Sequence, residues 1–275
     1  ASDEVGRYEI ADEMMKDSEL RNAVDVLGFH YSTWSSENAL KLKKDYGKEI
    51  WYSEGSSVAI NAEQAVNANN ASGEPLDEAA KGTGLTGVNS ALEIGVRVLN
   101  MYAQNGITGG KMTMYQFQPA VAAYYTGAQY IPKQLIQADT PWNGYYDVQA
   151  GAYVMEHFTK FQTDNMKYVD GACFGDGEPA GDGHGIGKTT NNYITLADPD
   201  TGDYTMVFVN DSSYARSYDV SVSNLSKSNS SLTAWVTKGP DAGQAYNANW
   251  LKKAGTVTPA DGKFSYTVCL LYTSP

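Results

Sequence analysis

The sequence predicts a mixed fold, with parallel β/α units over residues 1–162 and an antiparallel β-sandwich over residues 163–275. In the first part, apolar runs of strand length alternate with segments of helical periodicity, which is typical of parallel strands covered on both faces. In the second part, short alternating runs are separated by turn sequences, which is typical of a sandwich. A chain of 275 residues is long enough for two such units.

The first part begins with a predicted helix over residues 8–24, where apolar residues recur at helical spacing. The strand "VDVLGFHYS" and the helix "SSENALKLKKDYG" follow, and this helix has a serine N-cap and ends at Gly47. Next come the strand "EIWYSEG", the helix "GVNSALEIGVRVLNMYAQNG", the strand "GKMTMYQFQP" and a last helix in "AGAYVMEHFTKF". We expect Val26, Ile50 and Met114 to lie on the inner faces of these three strands.

The second part contains five predicted strands, "NNYITLAD", "YTMVFVND", "SYDVSVSNL", "SLTAWVTK" and "KFSYTVCLLY". Turn sequences such as "PDTGD" and "SNLSKSNSS" separate them. The chain has two cysteines, Cys173 and Cys269, which excludes a disulfide framework and a cysteine-rich zinc site. The two could form one bridge, and two free, buried thiols are the favoured alternative.

The composition excludes several classes of partner. The formal net charge is −12, from 20 basic and 32 acidic residues, which disfavours binding to nucleic acid or to an anionic membrane surface. No run of about 18 apolar residues occurs, so no transmembrane segment is predicted. The glycine-rich stretch 175–187 lacks the spacing of a calcium loop, and three scattered histidines do not form a zinc motif. We therefore expect no metal and no cofactor, and a neutral ligand.

Polar side chains follow three predicted strands: His30 and Tyr31, then Glu54 with Ser56 and Ser57, then Tyr115 with Gln116. In β/α barrels the chemistry takes place at this end of the strands, because the loops converge over the barrel mouth. A carboxylate placed there can attack an anomeric carbon if a second carboxyl group about 5 Å away protonates the leaving oxygen. From the spacing alone, a solvated residue at a strand end is the more common explanation of Glu54.

A resemblance extends this interpretation. "VDVLGFHYS", followed about 20 residues later by "KEIWYSEGSS" and then by "VAAYY" and "TPWNGYYDVQAGAYVMEHFTKFQ", resembles the galactosylceramidase (galactocerebrosidase) family of glycoside hydrolases in order and spacing. The resemblance implies the C-terminal portion of a (β/α)8 TIM barrel, about strands six to eight, over residues 1–162, and a β-sandwich domain over residues 163–275. It also implies a retaining β-galactoside hydrolase with Glu54 as the catalytic nucleophile.

The resemblance further implies substrate-binding roles for His30, Tyr31, Ser57, Tyr115, Tyr130 and Arg216. For each of these an ordinary structural role, such as capping a loop or packing at the surface, is the alternative. In the family the general acid/base is a glutamate that follows an asparagine at the end of the fourth strand. The sequence has no Asn-Glu dipeptide, so we expect that residue upstream of Ala1 and expect the 275-residue chain alone to be inactive.

The expected substrate is a β-galactoside glycan or glycolipid. The resemblance implies a protein that is secreted or extracellular, lysosomal if it comes from an animal, and monomeric at full length. The sequence "HYST" and the glycine at position 55 depart from the family pattern, which leaves the exact sugar open. Two alternatives therefore stay open: a non-catalytic carbohydrate-binding fragment, and a related barrel hydrolase that acts on another β-glycoside or on galactan.

Overall fold

The structure is a computed structural model, and it describes residues 2–3, 9–30, 35–56, 87–103, 110–118, 120–123, 135–138, 144, 146–176, 191–212 and 214–268. Within these ranges the helices are α1 (Glu9–Lys16), α2 (Ser18–Ala23), α3 (Glu37–Tyr46), α4 (Val88–Ala103) and α5 (Ala150–Thr159). Helix α3 begins at the N-cap Ser36, whose side chain accepts a hydrogen bond from the Ala39 N–H. It ends at Gly47, which adopts the left-handed conformation at φ 68°, so both predicted boundaries are confirmed.

A parallel sheet of four strands forms the centre of the first part. The strands are β1 (Ser2–Asp3), β2 (Val26–His30), β3 (Glu49–Ser56) and β4 (Met114–Gln118), and they pair in that order. Helices alternate with the last three strands along the chain. The predicted order of parallel β/α units is confirmed. Because the strands are parallel, their C-terminal ends meet at one edge of the sheet.

Helices cover one face of this sheet. A buried cluster joins α1 and α3 to β2 and β3, and its central members are Met14, Leu27, Phe29, Leu42, Ile50 and Tyr52, each 0% exposed. The opposite face, here called the open face, carries Val26, His30, Trp51, Met114 and Gln116. Met114 is 38% exposed, as expected for this face. The expectation for Ile50 is wrong, because Ile50 packs towards the helices.

A second, smaller sheet follows β4 directly. It contains β5 (Val121–Ala123), β6 (Ile136–Ala138) and β7 (Tyr146–Val148), with β5 and β6 parallel and β6 and β7 antiparallel. Since β5 begins three residues after the last residue of β4, this small sheet extends from the edge at which the parallel strands end.

The second part of the chain is antiparallel. One sheet contains β8 (Lys167–Tyr168), β9 (Phe174–Gly175), β10 (Asn192–Ala197) and β11 (Tyr204–Phe208). Two further pairs join β12 (Arg216–Ser221) to β15 (Lys263–Val268) and β13 (Leu232–Val236) to β14 (Lys252–Val257). All five predicted strands occur. The first sheet packs on β12 through Phe208 and Tyr218, whose ring centroids are 4.7 Å apart.

The hydrophobic core continues across the predicted boundary at residues 162 and 163. One buried cluster contains side chains from α4 and α5 together with side chains from β10 and β11, including Val96, Leu99, Val154, Ile194 and Val207. A buried hydrogen bond of 2.8 Å from Asn100 Nδ2 on α4 to Asn192 Oδ1 on β10 joins the same elements. Helices α4 and α5 and the first antiparallel sheet therefore share one hydrophobic core.

Candidate active site

The C-terminal end of β3 contains a β-bulge, and the bulge determines where Glu54 lies. On the β2 side, Phe29 pairs with Tyr52 and His30 pairs with Glu54, so Ser53 is an extra residue. On the β4 side, Ser53 and Glu54 together lie opposite Gln116, between the regular pairs Tyr52–Tyr115 and Gly55–Phe117. Regular alternation would place Glu54 on the helix side with Tyr52. The bulge places it opposite His30 instead.

His30 and Glu54 contact each other on the open face. The distance from His30 Nδ1 to Glu54 Oε2 is 3.5 Å, and the two side chains are 15% and 31% exposed. The carboxylate is therefore held by a neighbouring strand and is still accessible to a ligand. These two residues were both expected in the site, and the structure brings them together.

Ser53 ties the bulge to the neighbouring strand. Its hydroxyl donates a hydrogen bond of 3.3 Å to the Phe29 carbonyl on β2. A bulged residue leaves the regular ladder of backbone hydrogen bonds, so a side-chain bond of this kind compensates part of that loss. Sequence reasoning assigned no role to Ser53 beyond preceding Glu54.

Tyr115 does not lie beside Glu54. Its ring stacks on Tyr52 with centroids 4.6 Å apart, on the side of the sheet that faces the helices. Its hydroxyl hydrogen-bonds to Arg97 on α4, and burial raises the pKa of Tyr115. This geometry does not support the expected sugar contact of Tyr115. The neighbouring residue Gln116 is exposed, shares the open face and lies directly opposite the bulge.

The remaining expected residues fall into two groups. Tyr31, Ser57 and Tyr130 lie outside the described residues. Arg216 begins β12, and its guanidinium lies 2.7 Å from the Tyr214 hydroxyl and 4.6 Å from the centre of the Tyr214 ring. Tyr214 is itself 55% exposed. The role of Arg216 in a sugar pocket stays a prediction.

Comparison with known proteins identifies the family. The family model described as "Glycosyl hydrolase family 59" matches residues 1–160. The chain belongs to glycosyl hydrolase family 59. Human galactocerebrosidase is 31% identical over 160 residues, which are 58% of this chain and 18% of the human protein. Mouse galactocerebrosidase is 30% identical over 163 residues, again 58% of this chain and 18% of that protein. The chain thus spans about a fifth of the length of these relatives.

A solved structure supports the fold. The GH30 endoxylanase of Clostridium papyrosolvens C71 superimposes with a TM-score of 0.50 and 16% sequence identity, over 94% of this chain and 50% of the endoxylanase. The likeness covers both parts of the family 59 chain and therefore applies to the mixed α/β and antiparallel architecture as a whole. The family 59 match ends at residue 160, so it includes His30 and Glu54 and excludes Arg216.

A cavity of about 720 Å³ in the family 59 chain lies apart from Glu54, between α5 and the antiparallel strands. Its described lining includes Phe161, Trp235 and His157, and includes neither His30 nor Glu54. His157 Nε2 lies 2.9 Å from Thr237 Oγ1, and burial lowers the pKa of His157 to about 4. His157 is therefore neutral near pH 7, and it packs from α5 against Thr237 of the second part.

The described residues contain no group of three or more His, Cys, Asp or Glu side chains arranged to hold a metal ion. None of the helices within the described ranges is long and apolar enough to span a membrane. Cys173 carries a free thiol, which accepts a hydrogen bond from the Thr195 N–H at 3.4 Å, and burial raises its pKa. Cys269 lies outside the described residues.

Proposed function

We propose that this chain is part of a retaining β-galactoside hydrolase in which Glu54 is the nucleophile. The observation that carries the proposal is the bulge at Ser53 and Glu54, which places an accessible carboxylate 3.5 Å from His30 at the C-terminal end of a parallel strand. In β/α barrels this end of the strands is the catalytic end. Membership of glycosyl hydrolase family 59 and the likeness to proteins named galactocerebrosidase support a galactoside as substrate.

The first step follows from the chemistry of a carboxylate. Glu54 attacks the anomeric carbon and forms a glycosyl ester, while a second carboxyl group gives its proton to the departing oxygen. Water then attacks the anomeric carbon, the bond from that carbon to Glu54 breaks and releases the carboxylate, and the second group, now a carboxylate, takes the proton of that water. His30 holds the Glu54 carboxylate in a fixed direction, so that little reorientation is needed when the sugar binds.

The second carboxyl group and the rest of the barrel belong, in this proposal, to the part of the protein outside these 275 residues. The four parallel strands then form the last part of a (β/α)8 barrel, with the antiparallel strands as its β-sandwich. The chain alone should then hydrolyse no unactivated β-galactoside. A secreted, monomeric full-length protein stays a prediction of the resemblance.

A covalent trap tests the proposal. The full-length protein is treated with a 2-deoxy-2-fluoro-β-galactoside that carries a good leaving group, and the labelled peptide is identified by mass spectrometry. The expected result is one sugar ester on Glu54. The matching glucoside and xyloside serve as controls for the identity of the sugar. A label on another carboxylate, or a faster reaction with a control sugar, would overturn the corresponding part of the proposal.

A further inference from the structure

A buried arginine lies in the helix layer behind the candidate nucleophile. Arg97, on α4, is 5% exposed. It hydrogen-bonds to the Tyr115 hydroxyl, and it lies beside Tyr52 and Glu93. The hydrolytic step described above uses none of these side chains.

Packing alone does not account for a cation at this position. Burying a guanidinium costs several kcal/mol unless its contacts compensate, and an apolar residue of similar volume would avoid that cost. Burial alone would lower the pKa of Arg97. The interactions with Tyr115, Tyr52 and Glu93 outweigh burial, so the pKa of Arg97 is raised. Arg97 therefore stays charged, and its hydrogen bond to the Tyr115 hydroxyl fixes the polar end of that side chain.

The tyrosines that neighbour Arg97 lie at the edge of the bulge. Tyr52 and Tyr115 form the last regular pair of β3 and β4 before it. On the far side of the bulge, Phe117 pairs with Gly55, and the Phe117 ring lies 4.7 Å from the Tyr115 ring. The stacked Tyr52–Tyr115 pair and the Phe117 ring, tilted by 48° to Tyr115, therefore lie on the helix side at the two ends of the bulge, while Glu54 lies on the open face.

We propose that Arg97 and Tyr115 are positioning residues for Glu54. The contact between Arg97 and Tyr115 fixes the Tyr52–Tyr115 pair. That pair fixes the backbone at the start of the bulge and so determines that the Glu54 carboxylate points towards His30. The inference rests on the proposed function for its catalytic consequence. A displacement of about 1 Å at a reacting group can reduce a rate by about 100-fold, so a small change in the stack is sufficient to affect the reaction.

Three variants of the full-length protein test the proposal. Arg97→Met removes the cation and keeps the side-chain length, and Tyr115→Phe removes only the hydroxyl. Tyr102→Phe is the matched control, because Tyr102 is on the same helix and its hydroxyl donates to Asp170, away from the bulge, at 2.6 Å. The measurements are the rate of labelling as a function of 2-fluoro-galactoside concentration, which separates affinity from the reaction step, and the hydrogen exchange of the amides of residues 53–56.

The expected results differ between the variants. Labelling slows by about 10- to 100-fold in Arg97→Met and by about 3- to 10-fold in Tyr115→Phe, whereas the affinity for the reagent is unchanged, because positioning affects the reaction step. Exchange becomes faster at residues 53–56 and not at residues 49–50, which belong to the start of the same strand. Tyr102→Phe changes neither quantity.

The outcomes separate this inference from the proposed function. If the wild-type protein is not labelled by the galactoside, the proposed function fails, and hydrogen exchange still decides the positioning role. Unchanged exchange at residues 53–56 in Tyr115→Phe overturns the inference whatever the activity. If the Arg97→Met variant loses protection from hydrogen exchange along the whole chain, it has not folded. The Tyr115→Phe variant alone then tests the positioning role.

Discussion

Strand β3 carries one glutamate near each end, and the two have different surroundings. At the start, Glu49 Oε2 accepts hydrogen bonds from Lys43 Nζ at 2.9 Å and from Thr113 Oγ1 at 2.7 Å. Burial alone would raise the pKa of Glu49, but these hydrogen bonds outweigh it and lower the pKa. Near the other end, Glu54 lies 3.5 Å from His30 on the open face. Glu49 therefore links α3 and the segment before β4 to β3, whereas Glu54 is 31% exposed and is accessible to a ligand.

The difference extends beyond the two glutamates. In the segment that precedes β4, Lys111 donates a hydrogen bond of 2.6 Å to Asp170 Oδ1. The Tyr102 hydroxyl donates to the same oxygen, and the Lys111 ammonium lies 4.7 Å from the centre of the Tyr102 ring. These contacts tie the parallel sheet to the second part of the chain. In barrel folds the N-terminal end of the strands contributes stability and the C-terminal end contributes chemistry, and under the proposed function this chain would follow that division.

The sharpest test of this division replaces the glutamate carboxylate near each end of β3 with the amide of glutamine. In the full-length protein, Glu54→Gln should reduce the rate of β-galactoside hydrolysis by at least about 1,000-fold, because the amide cannot form the glycosyl ester. Folding, followed by circular dichroism and thermal unfolding, should be unchanged. The matched variant Glu49→Gln should keep the activity and lower the free energy of unfolding by about 1 kcal/mol. Near wild-type activity in Glu54→Gln would contradict the assignment.

The sequence indicated that His30 and Glu54 would lie together in the candidate site, but it did not indicate how the helix side of the sheet packs next to them. His30 and Glu54 could be recognised because each ends an apolar run of strand length, and the C-terminal ends of parallel strands meet. The bulge at Ser53 could not be recognised, because an extra residue is defined only by the pairing with β2 and β4. The same pairing determines which face of the sheet carries Tyr115. The sequence alone does not give that face, so it could not show that Tyr115 lies on the helix side.

Two other differences have physical causes of the same kind. Strand β14, "KKAGTV", escaped prediction because its lysines and Gly255 do not form the alternating apolar pattern of a strand. The continuity of the core across residues 162 and 163 also escaped prediction. Apolar residues in α4 and β10 indicate buried faces, but which faces meet depends on contacts between residues about 100 positions apart.

The second prediction concerns the buried amide that joins α4 to the antiparallel sheet. Asn100 is 0% exposed and donates to the Val96 carbonyl and to Asn192 Oδ1, each at 2.8 Å. Asn100→Ala removes these bonds and leaves a small cavity, so the free energy of unfolding should fall by about 1–3 kcal/mol. Chemical denaturation measures this change, and labelling of Glu54 should be unaffected in the folded fraction.

The control for Asn100 is an asparagine that also bonds across elements but at the surface. Asn38 Nδ2 on α3 donates to Asp12 Oδ1 on α1 at 2.8 Å in an exposed position. Asn38→Ala should change the free energy of unfolding by less than about 0.5 kcal/mol, because water replaces a surface hydrogen bond. Equal effects of the two variants would show that the buried bond does not join the two parts of the chain.

The smallest expected effect depends on pH and concerns Asp170. Burial alone would raise its pKa, but the hydrogen bonds from Lys111 and Tyr102 outweigh burial and lower the pKa below the ordinary 3.8. A carboxyl group with a lowered pKa in the folded state stabilises the protein above the pKa of the unfolded chain, and this contribution disappears as the pH falls through the folded value. The Asp170 side chain is 65% exposed, so the contribution should be at most about 1 kcal/mol.

Asp170→Asn should therefore lower the free energy of unfolding at pH 7 and should match the wild type at about pH 2, as measured by denaturation across that range. Asp25→Asn is the control, because Asp25 is 93% exposed and lies 3.7 Å from Lys48. A constant difference between Asp170→Asn and the wild type at every pH would contradict the linkage, since only a charged Asp170 can provide the stabilisation that acid removes.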